Sequence, residues 1–445
     1  MIITKVKEKL EKSDILKLYQ KGYKTIENYA LGIEYERLPI SSSSYKAISY
    51  DSENGICNFL RQFAKEENWD YITDDYNIIG LKQEHDTITL EPGCQIELSI
   101  KPERNIFDIE KKIKSLNKKM HNLLDKSNIT LLEYGVSPFV THKNINIIPK
   151  KRYKIMAKYL WGILSDVMMR ETAGIQGCFD FSDEEDAIRK FKLANKLSPF
   201  ITAMFANSPI RGGVETGYKS FRALSWLNTD NERCGFACNL DNDFSFEKYI
   251  DTVMETPIIF LNKDNQTIDV NGKINFEDYL NNGYEGFEAN IEDYKLQANL
   301  YFPEVRLRNF LEIRNHDCTS MPYSVLAIYK GILYNKYAMS EIEELFKPFS
   351  HVDLAELRYN VPKNALQTNI KNHKVLDITK EILYIAEKSL IEMNTGEEIF
   401  LEPIKELTLK GLCPADIILR NWNGLWNKDI GKLIKYLKKL SQSSI

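Results

Sequence analysis

The sequence predicts an α+β fold, and three observations lead to this prediction. Strand-like segments that carry carboxylates at alternate positions occur before residue 320. Apolar residues recur at steps of three and four between Ile106 and Leu123, which predicts an amphipathic helix. After residue 320 the pattern becomes mainly helical. We therefore expect one domain over residues 1–445, with a mainly helical C-terminal part over 321–445.

The first strands are expected to present carboxylates on one face. A charged helix over about 3–20 precedes a strand in which Glu34 and Glu36 share a face, while Ile33 and Tyr35 occupy the other. A helix near 55–68 and short strands near 70–81 follow. Residues 87–100 then predict a hairpin that turns at Pro92 and Gly93 and offers Glu91 and Glu97.

The middle of the chain alternates between the two element types. After the helix at 106–123 we expect a strand near 129–135, a helix near 152–169 and an alternating strand near 172–181. Ser182, with Glu185 three residues later, predicts the start of the next helix through a capping box. These elements connect the acidic strands to a second polar region.

Another strand with charged side chains is expected farther along the chain. In the run from Tyr301 to Arg314, Glu312 and Arg314 lie two residues apart, on the same strand face and about 7 Å from each other along it. Beyond it, helices are expected near 376–393 and 427–440. The last of these has lysines on one side; a membrane-surface helix would look similar, but a terminal helix docked on the core is favoured.

Composition and charge exclude several classes of protein. Hydrophobic residues make up 43% and charged residues 27%, as in ordinary soluble proteins. The net charge of -4 provides no basic excess for bulk nucleic-acid binding. Seven scattered cysteines predict no disulfide framework, and we expect neither a signal peptide nor a membrane span. A cytoplasmic protein is the resulting expectation.

The repeated acidic strand faces predict a cation site. Carboxylates that share a strand face are costly to bury unless a cation neutralises them, and Mg²⁺ prefers oxygen ligands and usually arrives with substrate phosphates. Acidic outer faces of ordinary exposed strands are the alternative. A loop from Phe205 to Arg222 adds glycines and two arginines that could bind an anion, although it lacks the P-loop pattern.

A series of segments occurs in the order known from one enzyme family. These are Gly32–Glu36, Leu90–Ser99, Pro149–Met156, Asp180–Ser182, Ala206–Pro209, Gly217–Arg222, Trp226–Gly235, Phe302–Leu307 and Leu311–Asp317. Together they resemble glutamate–cysteine ligase of the plant and alphaproteobacterial branch, over about residues 25–430. One departure is Cys94, which stands where a glycine is common.

The resemblance implies a fold like that of glutamine synthetase. A curved, mostly antiparallel sheet would form a half-open funnel, with helices outside and two or more Mg²⁺ ions and ATP within. ATP would phosphorylate the γ-carboxylate of L-glutamate, and the α-amine of L-cysteine would displace phosphate, which is the first step of glutathione biosynthesis. A monomer or homodimer is expected.

The resemblance also assigns residues to roles. The metal ligands it implies are Glu34, Glu36, Glu91, Glu97, Gln176 and Glu312. Arg314 would stabilise charge on the transferred phosphoryl group, and Arg222 would bind glutamate. The substrate-binding residues it implies besides Arg222 are Arg233, Trp226, Asn207, Ser208 and Tyr218. Two alternatives stay open: a γ-glutamyl ligase that uses another amine in a specialised pathway, and a non-catalytic binding homologue.

Overall fold

The computed structural model describes residues 9–264 and 266–443, without the side chains of residues 442 and 443. The helices are α1 (Lys12–Gln20), α2 (Ile56–Glu67), α3 (Ile106–Lys126), α4 (Lys151–Tyr159), α5 (Ser165–Glu171), α6 (Glu184–Met204), α7 (Phe221–Leu227), α8 (Phe246–Glu255), α9 (Phe276–Asn282), α10 (Ile291–Asn299), α11 (Pro322–Leu333), α12 (Lys336–Phe346), α13 (His351–Asn364), α14 (Val375–Met393), α15 (Glu402–Leu409), α16 (Pro414–Asn423) and α17 (Ile430–Ser443). None of these helices in the described chain has the length and apolar character needed to cross a bilayer.

The strands include long central ones and several two-residue pairs. They are β1 (Leu31–Ser41), β2 (Asp70–Asp74), β3 (Asn77–Gln83), β4 (Asp86–Leu90), β5 (Ile96–Glu103), β6 (Ile129–Leu132), β7 (Gly174–Phe179), β8 (Ile210–Arg211), β9 (Val214–Glu215), β10 (Cys234–Gly235), β11 (Phe260–Lys263), β12 (Gln266–Asp269), β13 (Phe302–Pro303), β14 (Val305–Leu307), β15 (Leu311–Asp317), β16 (Asn369–Ile370) and β17 (His373–Lys374).

Nine strands form one antiparallel sheet, which confirms the predicted α+β class. Its order is β14–β15–β7–β1–β5–β4–β3–β2, and β6 pairs with the second half of β1. The end strands β14 and β2 are not paired with each other, so the sheet is open. Register shifts between Leu31 and Ile33 and between Ile313 and His316 are irregularities of the kind that bend strands locally.

The two faces of the central strands differ in character. Ile33 and Tyr35 of β1 are fully or almost fully buried, on the face against which α3 and α11 pack. Helix α6 contacts the neighbouring strands β14 and β15. The alternation of side chains along each strand places Glu34 and Glu36 on the opposite face. The helices therefore cover the apolar side of β1 and leave its acidic side facing a cavity.

Three predicted element boundaries are wrong. The single helix expected near 152–169 is two helices, because the chain turns at Gly162, where a Cβ would lie 2.1 Å from the carbonyl oxygen of Thr229. The N-cap of α6 is Asp183, whose side chain accepts a hydrogen bond from Asp186, and not Ser182. Helix α1 begins at Lys12, and residues 3–8 of the predicted first helix lie outside the described residues.

Candidate functional site

The sheet register brings the acidic strand residues together on one face. In the β1–β5 pair Glu36 lies directly opposite Glu97, and in the β1–β7 pair Glu34 lies opposite Gln176. Directly opposed residues of antiparallel strands point to the same side of a sheet. Four predicted metal ligands, from three separate parts of the sequence, are therefore neighbours.

The remaining two predicted ligands reach the same cavity. Glu312 of β15 lies opposite Cys178, two positions beyond Gln176 on β7, and Glu91 directly follows β4. The cavity has a volume of about 290 Å³. All six predicted ligands line it: Glu34, Glu36, Glu91, Glu97, Gln176 and Glu312. The structure thus assembles the acidic cavity that the strand patterns predict.

The carboxylates on β1 and β5 lack a contacting cation. Within the described chain, Glu34 accepts no hydrogen bond and forms no ion pair, and Glu97 accepts hydrogen bonds from the hydroxyls of Thr89 at 2.8 Å and Ser99 at 3.5 Å. Burial, followed by repulsion from Glu312, raises the pKa of Glu34 to about 7. Burial and the neighbouring carboxylates raise the pKa of Glu97 well above its ordinary value. Among the described residues no cation contacts Glu34 or Glu97, although the charges of Arg314, Arg306 and Arg308 partly offset the rise in the pKa of Glu34.

Glu36 and Glu91 are held in place by neutral donors. The backbone N–H of Gly174 donates to Glu36 at 2.6 Å, and the amide of Gln176 donates to it at 3.1 Å. Burial and the charge of Glu91 raise the pKa of Glu36. The hydroxyl of Tyr153 donates to Glu91 at 3.1 Å. Both carboxylates keep oxygens available to the cavity, which they line.

The donor set of this wall fits a hard divalent cation. Carboxylate and amide oxygens are what Mg²⁺ prefers, and Mg²⁺ keeps several waters and binds through few carboxylates together with substrate phosphates. Among the described residues, no three histidine, cysteine, aspartate or glutamate side chains are grouped closely enough to form a complete metal site by themselves. The open arrangement, with its excess negative charge, suits an ion that binds together with a phosphate-bearing substrate.

The opposite wall of the cavity is basic. Glu312, which is almost fully buried, pairs with Arg306 at 3.4 Å, Arg308 at 3.3 Å and, more closely, Arg314. Burial opposes ionisation of Glu312, but the three arginines outweigh it and lower its pKa to about 2. Glu312 differs in this respect from the other predicted ligands, because its charge is already neutralised. The cavity therefore has an acidic wall and an arginine-rich wall.

A smaller cavity adjoins the first behind Arg314. Its volume is about 30 Å³, and it shares the walls formed by Trp226, Phe302 and Arg314. Arg222 lines it, donates to the backbone oxygen of Arg314 at 3.0 Å and has no ion pair with a carboxylate in the described chain. The guanidinium carbons of Arg222 and Arg314 each lie 5.9 Å from a ring centre of Trp226. These side chains connect the two cavities.

A buried network around Asp317 positions Arg222. The Asp317 carboxylate accepts hydrogen bonds from the backbone of Asn207 at 2.8 Å and from the hydroxyls of Ser208 at 2.7 Å and Ser220 at 2.8 Å. Ser220 caps α7, the helix that carries Arg222. The structure thus places Asn207 and Ser208, predicted to bind substrate, beneath the site, where they support it.

Two other predicted binding residues lie outside both cavities. The Arg233 guanidinium is buried and donates to Asp230, to the backbone oxygens of Leu300 and Pro257 and to the Tyr159 hydroxyl. Its nitrogens are thus used to hold loops together, and Arg233 is not among the described residues that line either cavity, so its role in substrate binding stays a prediction. Tyr218 is half-buried against Phe221, at a ring-centre distance of 6.3 Å, and is not among the lining residues.

Sequence reasoning assigned no role to several cavity residues. Arg306 lies directly opposite Glu312 in the β14–β15 pair, and Arg308 follows two residues later. Glu304, Arg306 and Arg308 alternate in the sequence, which indicates that these arginines share one face of a strand. Arg152 and Tyr153 line the other side, and nothing in their local pattern indicates this position.

Comparison with known proteins identifies the family. The model of glutamate–cysteine ligase family 2 matches residues 30–436. The chain belongs to this family. It is 32% identical to the chloroplastic glutamate–cysteine ligase B of Oryza sativa subsp. japonica, across 97% of this chain and 88% of the relative. It is 30% identical to the chloroplastic glutamate–cysteine ligase of Arabidopsis thaliana, across 97% and 83% of the two chains.

A solved structure supports the fold independently. The glutamate–cysteine ligase of Francisella tularensis in complex with AMP superposes with a TM-score of 0.59, covering 95% of this chain and 89% of that one. Sequence identity is 15%, so this likeness concerns the fold. Family membership and fold therefore agree with the resemblance found in the sequence.

Proposed function

We propose that this protein is an ATP-dependent ligase that joins the γ-carboxylate of L-glutamate to the α-amine of L-cysteine. The products are γ-glutamylcysteine, ADP and phosphate, with γ-glutamyl phosphate as the intermediate. The observation that carries the proposal is the cavity of about 290 Å³ with an acidic wall and an arginine-rich wall, in a chain of glutamate–cysteine ligase family 2.

The acidic wall is suited to hold magnesium with ATP. We assign Glu34, Glu36, Glu91, Glu97 and Gln176 as the residues that would hold the ions, because they line the cavity with oxygen atoms and because no cation contacts Glu34 or Glu97 among the described residues. Glu312 stays a predicted ligand, although three arginines already neutralise it. Bound magnesium would supply positive charge beside the phosphates of ATP, which otherwise repel the carboxylates.

The arginine wall is suited to the transferred phosphoryl group. Arg314 is anchored by Glu312 and donates to Gln176 at 2.7 Å, so its guanidinium is held at the cavity surface without needing to reorganise. Preorganised cations stabilise charge that develops during phosphoryl transfer. Arg306 and Arg308 contribute to the same positive region. Attack by the cysteine amine then releases phosphate into it.

Arg222 is suited to bind the glutamate substrate. Arg222 has no carboxylate partner within the described chain, it is almost fully buried and it faces the small cavity next to Arg314. Burial lowers its pKa, because a charged guanidinium is poorly solvated there. A substrate carboxylate would supply the missing partner through the planar fork of the guanidinium. Trp226, which forms part of both cavities, would then contact the amino-acid substrates.

One assay tests the proposal. Purified protein is incubated with ATP, magnesium and glutamate, with each of a panel of amines, and the products are measured by mass together with ADP release. The expected result is ADP release that needs both glutamate and cysteine and yields γ-glutamylcysteine. Preference for another amine would retain the γ-glutamyl ligase chemistry and replace the acceptor. Absence of glutamate-dependent ADP release with every amine would contradict the proposal.

A further inference from the structure

A second buried arginine without a carboxylate partner lies on the other face of the sheet. The buried arginines of the described chain are Arg37, Arg222, Arg233 and Arg306. The last two pair with Asp230 and Glu312, whereas no described ion pair includes the first two. Arg222 faces the candidate site. Arg37 points away from it, because Arg37 follows Glu36 directly on β1 and successive strand residues alternate between faces.

The guanidinium of Arg37 is only partly satisfied. Its Nη1 donates to the side-chain oxygen of Asn117 at 2.8 Å, and its central carbon lies 5.2 Å from the ring centre of Tyr35. Its Nε and Nη2 are buried and have no hydrogen-bond partner among the described residues. A buried charged donor without an acceptor is destabilising, which favours an anion that is not part of the protein.

Arg37 lines a cavity large enough for such an anion. The cavity has a volume of about 50 Å³ and lies between α3, β6 and α17. A single water requires roughly 10–15 Å³ of comparable space, so the cavity can accommodate about three to five non-hydrogen atoms. The cavity is separate from the candidate active site, since the two share no lining residue.

The charges around this cavity favour an anion. Lys438 of α17 lines it and forms no ion pair within the described chain. Asp125 is the acidic residue among the described lining residues; its side chain is 52% exposed, and its carboxylate lies 3.2 Å from Nε2 of His121. Arg37 of β1 and Lys438 of α17 therefore both face this small space, and no ion pair of the described residues gives either of them a carboxylate partner.

We propose that this cavity is a binding site for a small oxyanion, a carboxylate or a phosphate group. Arg37 would bind it through its free Nε and Nη2, which form the edge of the planar fork that pairs with such groups. Lys438 would add a second positive charge. The site does not depend on the proposed ligase activity, because it uses none of the residues assigned to that reaction.

Titration calorimetry with inorganic phosphate, and separately with acetate, tests the site. The parent is compared with Arg37→Gln and Lys438→Gln, and circular dichroism checks that each variant is folded. We expect Lys438→Gln to weaken binding about ten-fold, as for loss of a hydrogen bond to a charged group, and Arg37→Gln to remove the site. Binding of phosphate alone would indicate a phosphate group, and binding of acetate alone would indicate a carboxylate.

Two controls separate this site from other sources of anion binding. Lys435→Gln removes the same charge from the same helix at a position outside the cavity and is expected to leave binding unchanged. Phosphate is also a product of the proposed reaction and could bind in the larger cavity, which Arg308 lines. Binding that is weakened by Arg308→Gln is therefore assigned to the larger cavity. The proposal is overturned if the parent binds neither anion, or if Arg37→Gln and Lys438→Gln both bind as the parent does.

Discussion

At the scale of single residues, Arg222 and Arg314 face neighbouring cavities but have different partners. Arg314 is bound to Glu312 and Gln176, whereas Arg222 contacts a backbone oxygen and no carboxylate within the described chain. A cation that already has an anionic partner is fixed in position before substrate binds. A cation without one is available to a substrate carboxylate. The two arginines should therefore respond differently to the same substitution.

We expect Arg222→Lys to raise the KM for glutamate about ten-fold or more, with less effect on kcat, because lysine keeps the charge and loses the bidentate fork. Arg314→Lys should mainly lower kcat, since its contact is strongest in the transition state. Steady-state kinetics measure both. Arg189→Lys, at a surface pair with Glu343, is the matched control. If Arg314→Lys changes only KM, then Arg314 is a binding residue.

The acidic residues give a second prediction at this scale. Glu36→Gln and Glu312→Gln should each abolish turnover without unfolding the protein, the first by removing charge from the magnesium wall and the second by leaving three arginines unpaired. Activity and circular dichroism are the measurements. Glu343→Gln at the surface should remain active. Near-normal turnover of Glu36→Gln at saturating magnesium would exclude Glu36 from the metal site, and near-normal turnover of Glu312→Gln would show that the three arginines do not need this carboxylate.

The third prediction at this scale concerns whether the thiol of Cys94 has a redox role. Its φ is +70°, in the left-handed region that favours glycine, which explains why a glycine is common at this position. The thiol is almost fully buried, and burial raises its pKa to about 12, so it is not a reactive thiolate. Cys94→Ser should keep most of the activity, and reductant should not change that of the parent. A loss of activity that reductant restores would indicate redox control.

At the scale of elements, the position of α7 depends on one carboxylate. Asp317, at the end of β15, accepts hydrogen bonds from the loop before β8 and from the N-cap of α7. Burial raises the pKa of Asp317, but hydrogen bonds and the charge of Arg222 favour its ionised form. The helix that carries Arg222 is thus joined to the sheet that carries Arg314.

Asp317→Asn should therefore affect both stability and binding. The amide would place N–H groups against donors, so the free energy of unfolding should fall by roughly 2–4 kcal/mol. The KM for glutamate should rise because Arg222 is displaced. Chemical denaturation and steady-state kinetics are the measurements. Asp251→Asn, which breaks a surface pair with Lys12, should cost less than about 1 kcal/mol. Equal effects of the two substitutions would contradict this role.

At the scale of the whole molecule, the acidic wall makes stability depend on pH and magnesium. The folded protein raises the pKa of Glu34 to about 7 and raises those of Glu36 and Glu97, so these carboxylates bind more protons in the folded protein than in the unfolded chain. Their contribution to stability should therefore fall as pH rises from about 4.5 to 7. Burial lowers the pKa of His316 to about 3, which gives a contribution of opposite sign below about pH 6.5, so the effect of the acidic wall is measured as the difference between the parent and Glu34→Gln. The lowered pKa of Glu312, about 2, contributes stability of the opposite pH dependence. That contribution is lost as pH falls from about 4.5 to 2, below the range in which the other carboxylates act.

Magnesium should reverse this loss, because it binds the ionised carboxylates of the folded state. The thermal unfolding midpoint is measured at pH 5 and at pH 7.5, with and without magnesium. We expect magnesium to raise the midpoint more at pH 7.5 than at pH 5. Glu34→Gln should show a weaker dependence on both pH and magnesium. A midpoint insensitive to magnesium at both pH values would mean that the acidic wall does not hold the ion.

The fold class, the family and most of the residues of the cavity could be predicted from the amino-acid sequence. Alternation along Glu34 to Glu36 and along Glu312 to Arg314 fixes which side chains share a face, because the side-chain period of a strand is two residues. The segments that resemble the ligase family then indicated which of these residues belong to one site. The structure agrees with this prediction, because all six predicted ligands line one cavity.

The partners that compensate the charged side chains of the cavity became clear only from the tertiary structure. Strand register pairs Arg306 with Glu312. Chain folding leaves Glu34 without a contacting cation among the described residues, and it uses every nitrogen of Arg233 in loop contacts. Local patterns cannot give this result, because the partners of a charged side chain come from segments far away in the sequence. The free energy of a buried charge depends on those partners and on the surrounding solvent.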